Sequence, residues 1–125
     1  MARILVMDDE DSVRTSLVSI LQRNGHDVIG STNGRDGMKL FRKAPTDLVI
    51  TELIMPLKNG FDVILELKEN YPDVRIIAIS GKTGMVDLLP GTKQLGAWAV
   101  LPKPFKKEQI LSTVESALEG IGLQQ

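Results

Sequence analysis

The 125-residue sequence predicts a doubly wound α/β fold, a parallel sheet with helices on both faces. Three observations carry that expectation. Short apolar runs recur at residues 4–7, 28–30, 48–51, 76–80 and 99–101, and they read as five strands. None alternates strictly between apolar and polar residues, which suits strands covered on both faces. After each run the apolar residues return at helical spacing, the βα alternation that builds a parallel sheet.

The first run, Ile4 to Met7, stops at Asp8. The helix after it places Val13, Leu17, Ile20 and Leu21 on one face and meets a terminator at Gly25. His26, the single histidine, follows at a turn and is expected at the surface. A second helix carries Met38, Leu40 and Phe41 before Pro45, and a third carries Phe61, Ile64, Leu65 and Leu67 before Tyr71 and Pro72. Residues 84–96 are the weak link, because Pro90 and Gly91 both oppose a helix interior. Either Pro90 sits in the first turn of a short fourth helix, where its missing N–H costs little, or the segment is a loop. The last helix shows Ile110, Leu111, Val114 and Leu118 and ends near Gly120 and Gly122. All these apolar stripes read as core faces.

Composition narrows the function. A chain of this length suits one domain, in which folding buries about two-thirds of the unfolded surface. An apolar fraction of 42% and a charged fraction of 25% belong to an ordinary globular domain. A net charge of -1 argues against direct nucleic-acid binding, since phosphate backbones reward clustered positive charge. The absence of cysteine excludes disulfides, thiolate metal sites and cysteine nucleophiles. The apolar start is far shorter than the roughly 20 residues of a membrane span. With no membrane segment or signal peptide visible, a cytoplasmic location is the expectation.

In an open α/β sheet, ligands bind outside the carboxyl ends of the strands. Asp8, Asp9, Glu10 and Asp11 follow the first run, Glu52 the third, Ser80 and Gly81 the fourth, and Pro102, Lys103 and Pro104 the fifth. Carboxylates gathered on one rim repel one another, and a bound cation or a raised pKa relieves that. Hard oxygen donors suit magnesium, which keeps several waters and takes one or two protein carboxylates. A hydroxyl and an ammonium opposite the metal complement phosphoryl oxygens, so the set reads as a phosphoryl-transfer constellation. Each residue also has a plainer reading: the acids as a helix cap, Ser80 as a turn residue, Lys103 as a solvated charge. Their shared position after strands favours the joint reading.

These motifs resemble the receiver domain of two-component response regulators over essentially the whole chain. The resemblance rests on the strand into Asp8-Asp9, on Leu53-Ile54-Met55-Pro56 with Gly60, on Ile79-Ser80-Gly81, and on Leu101-Pro102-Lys103-Pro104-Phe105. It implies a flavodoxin-like, five-stranded parallel sheet in the order 2-1-3-4-5, flanked by five helices, the fourth short or irregular. Residues 1–120 would form the receiver domain and 121–125 a C-terminal tail, with no effector domain within the chain.

Residue by residue, the resemblance implies Mg²⁺ held directly by Asp9, by Asp8 mainly through water, and by the backbone carbonyl of Ile54. Glu52 falls at the phosphoacceptor position, beside the metal. Ser80 would turn to bind the phosphoryl group, and Lys103 would contact the acceptor or its phosphate. A cis Lys103-Pro104 bond, common in the family, would aim the lysine inward.

Two departures stand out. The family's acceptor is Asp, and Glu52 adds a carbon–carbon bond of about 1.5 Å. A displacement of roughly 1 Å costs on the order of a hundredfold in rate where positioning is the catalyst. Phosphorylation at Glu52 is therefore expected to be slow or absent. Val100 takes the switch position where many members carry a Tyr or Phe, and a β-branched side chain is stiff about χ1. A switch would have to run through Ser80, and Val100 also reads as a plain strand residue.

Three readings of Glu52 follow. It could mimic the phosphorylated state, holding Ser80 and Lys103, although one charge and two oxygens fall short of the roughly -1.5 to -2 charge and three acceptor oxygens of a phosphorylated side chain. It could mark a degenerate, phosphorylation-independent interaction module. Or it could be an introduced change in an ordinary receiver, which Glu52→Asp would reverse. The module is not expected to be an enzyme. A Mg-dependent phosphatase resembling the haloacid dehalogenase group, with Asp9 and Asp11 as its Asp-x-Asp pair, leaves Gly60 and Lys103 unexplained. A flavin-binding module would need a glycine-rich phosphate loop after the first strand. The expected partners are a sensor histidine kinase or phosphotransfer protein near the first helix, and a downstream effector on the fourth helix, fifth strand and fifth helix around Leu88, Leu95, Val100 and Lys107. A weak homodimer is also compatible with the family.

Overall fold

Five strands form one parallel sheet in the order β2-β1-β3-β4-β5. The strands are β1 (Arg3–Met7), β2 (Asp27–Ser31), β3 (Leu48–Glu52), β4 (Arg75–Ser80) and β5 (Ala99–Pro102). The helices between and after them are α1 (Asp11–Arg23), α2 (Gly34–Lys43), α3 (Gly60–Asn70), α4 (Leu89–Gln94) and α5 (Lys107–Glu119). The computed structural model describes residues 1–81 and 89–119. Leu88, the first part of the 84–96 segment, the glycines expected to end the last helix, and the 121–125 tail lie outside them.

Strand periodicity splits the core in two, because successive side chains point to opposite faces. Ile4 and Val6 of β1 join Ile50, Ile77 and Ile79 under Leu17 and Leu21 of α1 and Ile110, Val114 and Leu118 of α5. Leu5 and Met7 face the other way, with Val49, Ile76 and Ala78, against Met38 and Phe41 of α2 and Val63, Ile64 and Leu67 of α3. The expected helix-on-both-faces layering is thus the observed one.

Local chemistry fixes the helix ends. Asn33 Oδ1 accepts from Asp36 N at 2.8 Å, and Asn59 Oδ1 accepts from Asp62 N at 2.9 Å, so an asparagine caps both α2 and α3. Each of these helices stops one residue before a proline, at Ala44 and Tyr71, where the following ring disfavours helical backbone. α1 ends at Arg23, and Gly25 turns the chain with φ +88°. Pro90 lies in the first turn of a six-residue α4, the short-helix alternative expected from the sequence.

Three expectations are corrected. Leu65 is 48% exposed and does not join the core stripe of α3, which runs through Gly60, Val63, Ile64 and Leu67. β2 is an edge strand with Ile29 42% exposed, so it is not covered on both faces. His26 is half-buried, and its Nδ1 accepts from Ala2 N at 3.2 Å.

Candidate functional site

Parallel strands deliver their carboxyl ends to one rim, and the candidate residues collect there. Glu52 and Ser80 are the last residues of β3 and β4, not the first beyond them, and Lys103 directly follows β5. β4 and β5 are in register through Ser80 and Pro102, and Lys103 N donates to Ser80 O at 2.8 Å. The Lys103-Pro104 bond is cis. On the other side, Asp8 N donates to Ser31 O at 3.0 Å, which extends the β1–β2 pairing by one residue and anchors the first acid.

Lys103 Nζ lies 2.9 Å from Asp8 Oδ2, 2.8 Å from Glu10 Oε1 and 2.8 Å from Glu52 Oε1. Asp8 and Glu52 are fully buried, while Glu10 is half-exposed. One ammonium therefore serves three carboxylates. The solvated-charge reading of Lys103 is excluded, since only 10% of its side chain is exposed.

Electrostatics follow from that packing. Burial disfavours the Lys103 cation, but its contacts with Glu10, Glu52 and Asp8 outweigh burial and hold its pKa well above the ordinary lysine range. Burial likewise pushes the Asp8 carboxyl up, and the Glu10 N–H and the Lys103 ammonium only partly pull it back. Asp8 Oδ1 accepts from Glu10 N at 2.9 Å.

The Glu52 side chain folds back on its own chain. Its Oε2 accepts from its own chain, from Leu53 N at 2.7 Å and Ile54 N at 3.3 Å, while Oε1 faces Lys103. Gly60 packs closely against the backbone of the same segment. Its N–H donates to Leu53 O at 2.7 Å, and a Cβ there would lie 2.3 Å from Glu52 O and 2.7 Å from Leu53 Cα. No side chain fits that approach.

Ser80 lies at the same rim, yet among the described residues its buried Oγ has no hydrogen-bond partner. Glu52 thus contacts Lys103 but, among the described residues, not the Ser80 hydroxyl. Val100 is half-buried, pairs in register with Ala78 and packs on the α2–α3 side of the core, as a strand residue would.

The acids do not all converge. Carboxylate oxygens of Asp8, Glu10 and Glu52 lie within 4.8 Å of one another, whereas the half-buried Asp9 is outside that group. Asp11 opens α1 with its carboxylate 2.6 Å from Arg14 Nη2 and its side chain 85% exposed, so Asp9 and Asp11 do not form a phosphatase-like pair. Glu10 at the N-cap of α1 makes no side-chain capping bond, and Asp11 is the acid of the first turn. Sequence reasoning counted Glu10 among the acids after the first strand without making it a ligand, and gave no role to Arg14, whose Nη1 donates to Asp8 O at 2.8 Å. The signal for Glu10 was its place directly after Asp8 and Asp9; for Arg14 it was the three-residue spacing from Asp11.

The response regulator receiver domain model matches residues 4–115. The chain belongs to this family. Similar curated proteins include the DNA-binding transcriptional regulator NtrC of Azospirillum brasilense, 38% identical over 119 residues. That match covers 95% of this chain but only 24% of NtrC. Protein PilH of Pseudomonas aeruginosa is 34% identical over 122 residues, covering 96% of this chain and 100% of PilH. Among solved structures, the chemotaxis response regulator CheY4 of Vibrio cholerae superimposes with a TM-score of 0.84 at 30% identity, covering 94% of this chain and 99% of CheY4. The receiver domain is a signalling module of two-component systems that interacts with sensor kinases and effector domains, and the family binds Mg²⁺. Among the described residues, no helix is long and apolar enough to cross a membrane.

Proposed function

We propose that this receiver acts through protein–protein contacts with ordinary phosphorylation at position 52 blocked, Glu52 standing as a partial mimic of the phosphorylated acceptor. One observation carries the reading: the buried Glu52 carboxylate takes Lys103 at 2.8 Å with one oxygen and the Leu53 and Ile54 amides with the other. Both oxygens are committed within the protein, which is the wrong state for a nucleophile. The mimicry is partial because Ser80 stays outside it.

The donor set fits a hard divalent cation, since carboxylate oxygens of Asp8, Glu10 and Glu52 approach within 4.8 Å. In this reading Mg²⁺ is held by Asp8, Asp9, Glu52 and the Ile54 carbonyl, with Glu10 added to the calls made from sequence. When bound, the ion supplies positive charge against phosphoryl oxygens. Ser80 and Lys103 are the phosphoryl-facing groups, and Ser80, with Val100 behind it, is the remaining switch element. The module spans residues 1–120, with 121–125 as a tail, in the cytoplasm.

A sensor histidine kinase or phosphotransfer protein would dock beside α1, where Ser12, Val13 and Ser16 share a cleft of about 520 Å³ with Lys103 and Phe105. The output surface would be α4, β5 and α5, around Leu95, Val100 and Lys107, with a weak homodimer through the same face. No direct nucleic-acid contact is assigned.

The test is intact-mass measurement after incubation with Mg²⁺ and a small-molecule phosphodonor. The expected result is no phosphoryl increment on the native chain and a stoichiometric one on Glu52→Asp. A full increment mapped to Glu52 in the native chain overturns the block. No increment on either chain, together with no Mg²⁺ binding by calorimetry, favours the phosphorylation-independent interaction module.

A further inference from the structure

The loop from Leu53 to Asn59 joins β3 to α3 and carries the Leu53 and Ile54 amides that hold Glu52 Oε2. Its sharpest point is Leu57. Among the described residues this is the one residue other than glycine with a positive φ, +71°, and Lys58 N donates back across it to Pro56 O at 2.8 Å. A hydrogen bond from residue i+2 to residue i, closed over a central φ of about +75°, is the rare and strained form of the γ-turn. Leu57 is 64% exposed, so its own burial does not hold the turn in place.

A strained backbone persists where its surroundings over-determine it, and two neighbours do so here. Gly34, the first residue of α2, lies so close to Lys58 that a Cβ there would collide with the Lys58 carbonyl. From α3, the Glu66 carboxylate pairs through Oε1 with the Lys58 ammonium. Arg42 of α2 in turn fixes Glu66, Nε donating to Oε2 and Nη2 to Oε1, both at 2.9 Å. Isolated surface ion pairs contribute little, but a bidentate arginine–carboxylate pair within a network is the arrangement that does. Helices α2 and α3 thus grip the turn together.

From the turn to Glu52 the path is short. Leu53 is anchored by the sheet and by α3, since its N–H also donates to Ile79 O at 3.2 Å and its carbonyl accepts from Gly60 N at 2.7 Å. Ile54 lies between that anchor and the turn, and its N–H reaches Glu52 Oε2 at 3.3 Å. We propose that Lys58, Glu66 and Arg42 form a positioning latch, which holds the strained turn at Leu57 and thereby sets the Ile54 amide against the Glu52 carboxylate. The acceptor position of Glu52 belongs to the proposed function. The latch is measured on the resting chain, with neither phosphate nor metal, so either can fail without the other.

The test is backbone nitrogen relaxation and amide shifts by NMR on the full chain in EDTA. The native Leu57 and Lys58 amides should have order parameters of about 0.85, the rigid value, and Glu66→Gln and Lys58→Met should each lower them below about 0.6. In both variants the Ile54 amide proton should shift, and the doubly anchored Leu53 amide should shift less. Lys58→Arg keeps the cation and should keep the turn rigid. The double variant Lys58→Met/Glu66→Gln should be no looser than either single one, because both remove the same contact. Glu69→Gln takes the same charge from an exposed position of the same helix and should behave as the native chain does. Unchanged amide shifts along β1 show that each variant is folded. The proposal is overturned by a rigid turn in both Glu66→Gln and Lys58→Met, by equal loosening in Glu69→Gln, or by a loosened turn with an unmoved Ile54 amide.

Discussion

Lys103→Met removes a cation that contacts three carboxylates while keeping a long apolar stem. Asp8 and Glu52 have fully buried side chains, and their Lys103 contacts are 2.9 and 2.8 Å. Breaking a buried ion pair by deleting one partner costs about 3–5 kcal/mol, because the remaining charge is left uncompensated. For a domain of this size that corresponds to a fall in Tm on the order of 10–20 °C. Glu10 adds little to the loss, since it is half-exposed and water screens it.

Magnesium should reverse much of that loss. An ion held by the same oxygens would lie a few ångströms from the Lys103 ammonium. Two unit charges 4 Å apart repel by about 4 kcal/mol at an effective dielectric near 20, and a divalent ion doubles the figure. Lys103 in this pose and the metal therefore compete. The variant should bind Mg²⁺ more tightly than the native chain, and at a hundredfold excess over Kd the ion returns about 2.7 kcal/mol. Urea unfolding followed by circular dichroism, with EDTA and with Mg²⁺, measures both terms. A variant as stable as the native chain in EDTA, or one that Mg²⁺ stabilises no more than it does the native chain, refutes the counter-ion argument.

Three further outcomes follow from the same geometry. Glu52→Asp should accept phosphate from a small-molecule donor, read by intact mass. Gly60→Ala pushes a methyl to 2.3 Å from Glu52 O; overpacking of this kind costs about 1–3 kcal/mol or more, read as a lowered urea midpoint. Glu66 is raised by burial but lowered further by Lys58 and Arg42, so its folded pKa falls below the ordinary 4.5. Its stabilisation is then complete above that value and is lost as pH falls through the lower folded one. The stability difference between the native chain and Glu66→Gln, at most about 1 kcal/mol for a partly screened pair, should shrink to nothing across that window.

The fold and the acidic rim were legible because they depend on local pattern. Apolar runs ending in Asp8, Glu52, Ser80 and Lys103 announce strands that deliver polar residues to one edge. What escaped depends on neighbours. Val28 to Gly30 has the composition of a buried strand, and only its place at the sheet edge leaves Ile29 exposed. Leu65 looks like part of a stripe with Ile64 and Leu67, yet at about 100° per residue it cannot share their face. The α3 core positions are 60, 63, 64 and 67. Glu10 became a site residue only because Lys103, 93 positions away, reaches across the rim to it.

Glu52 was the residue most visible in the sequence, and its conformation the least. The sequence reading has its longer reach carry the carboxylate outward, into the space of a phosphoryl group. The chain instead turns back, so that Oε2 meets the Leu53 and Ile54 amides while Oε1 still touches Lys103. Charge-assisted hydrogen bonds to a carboxylate are among the strong ones, and an attacking oxygen would have to give one set up. Under the proposed reading, the longer side chain would act less by overshooting than by letting its own oxygens be satisfied within the chain. On that reading, shortening it to Asp, not merely adding metal, is the change that tests the block.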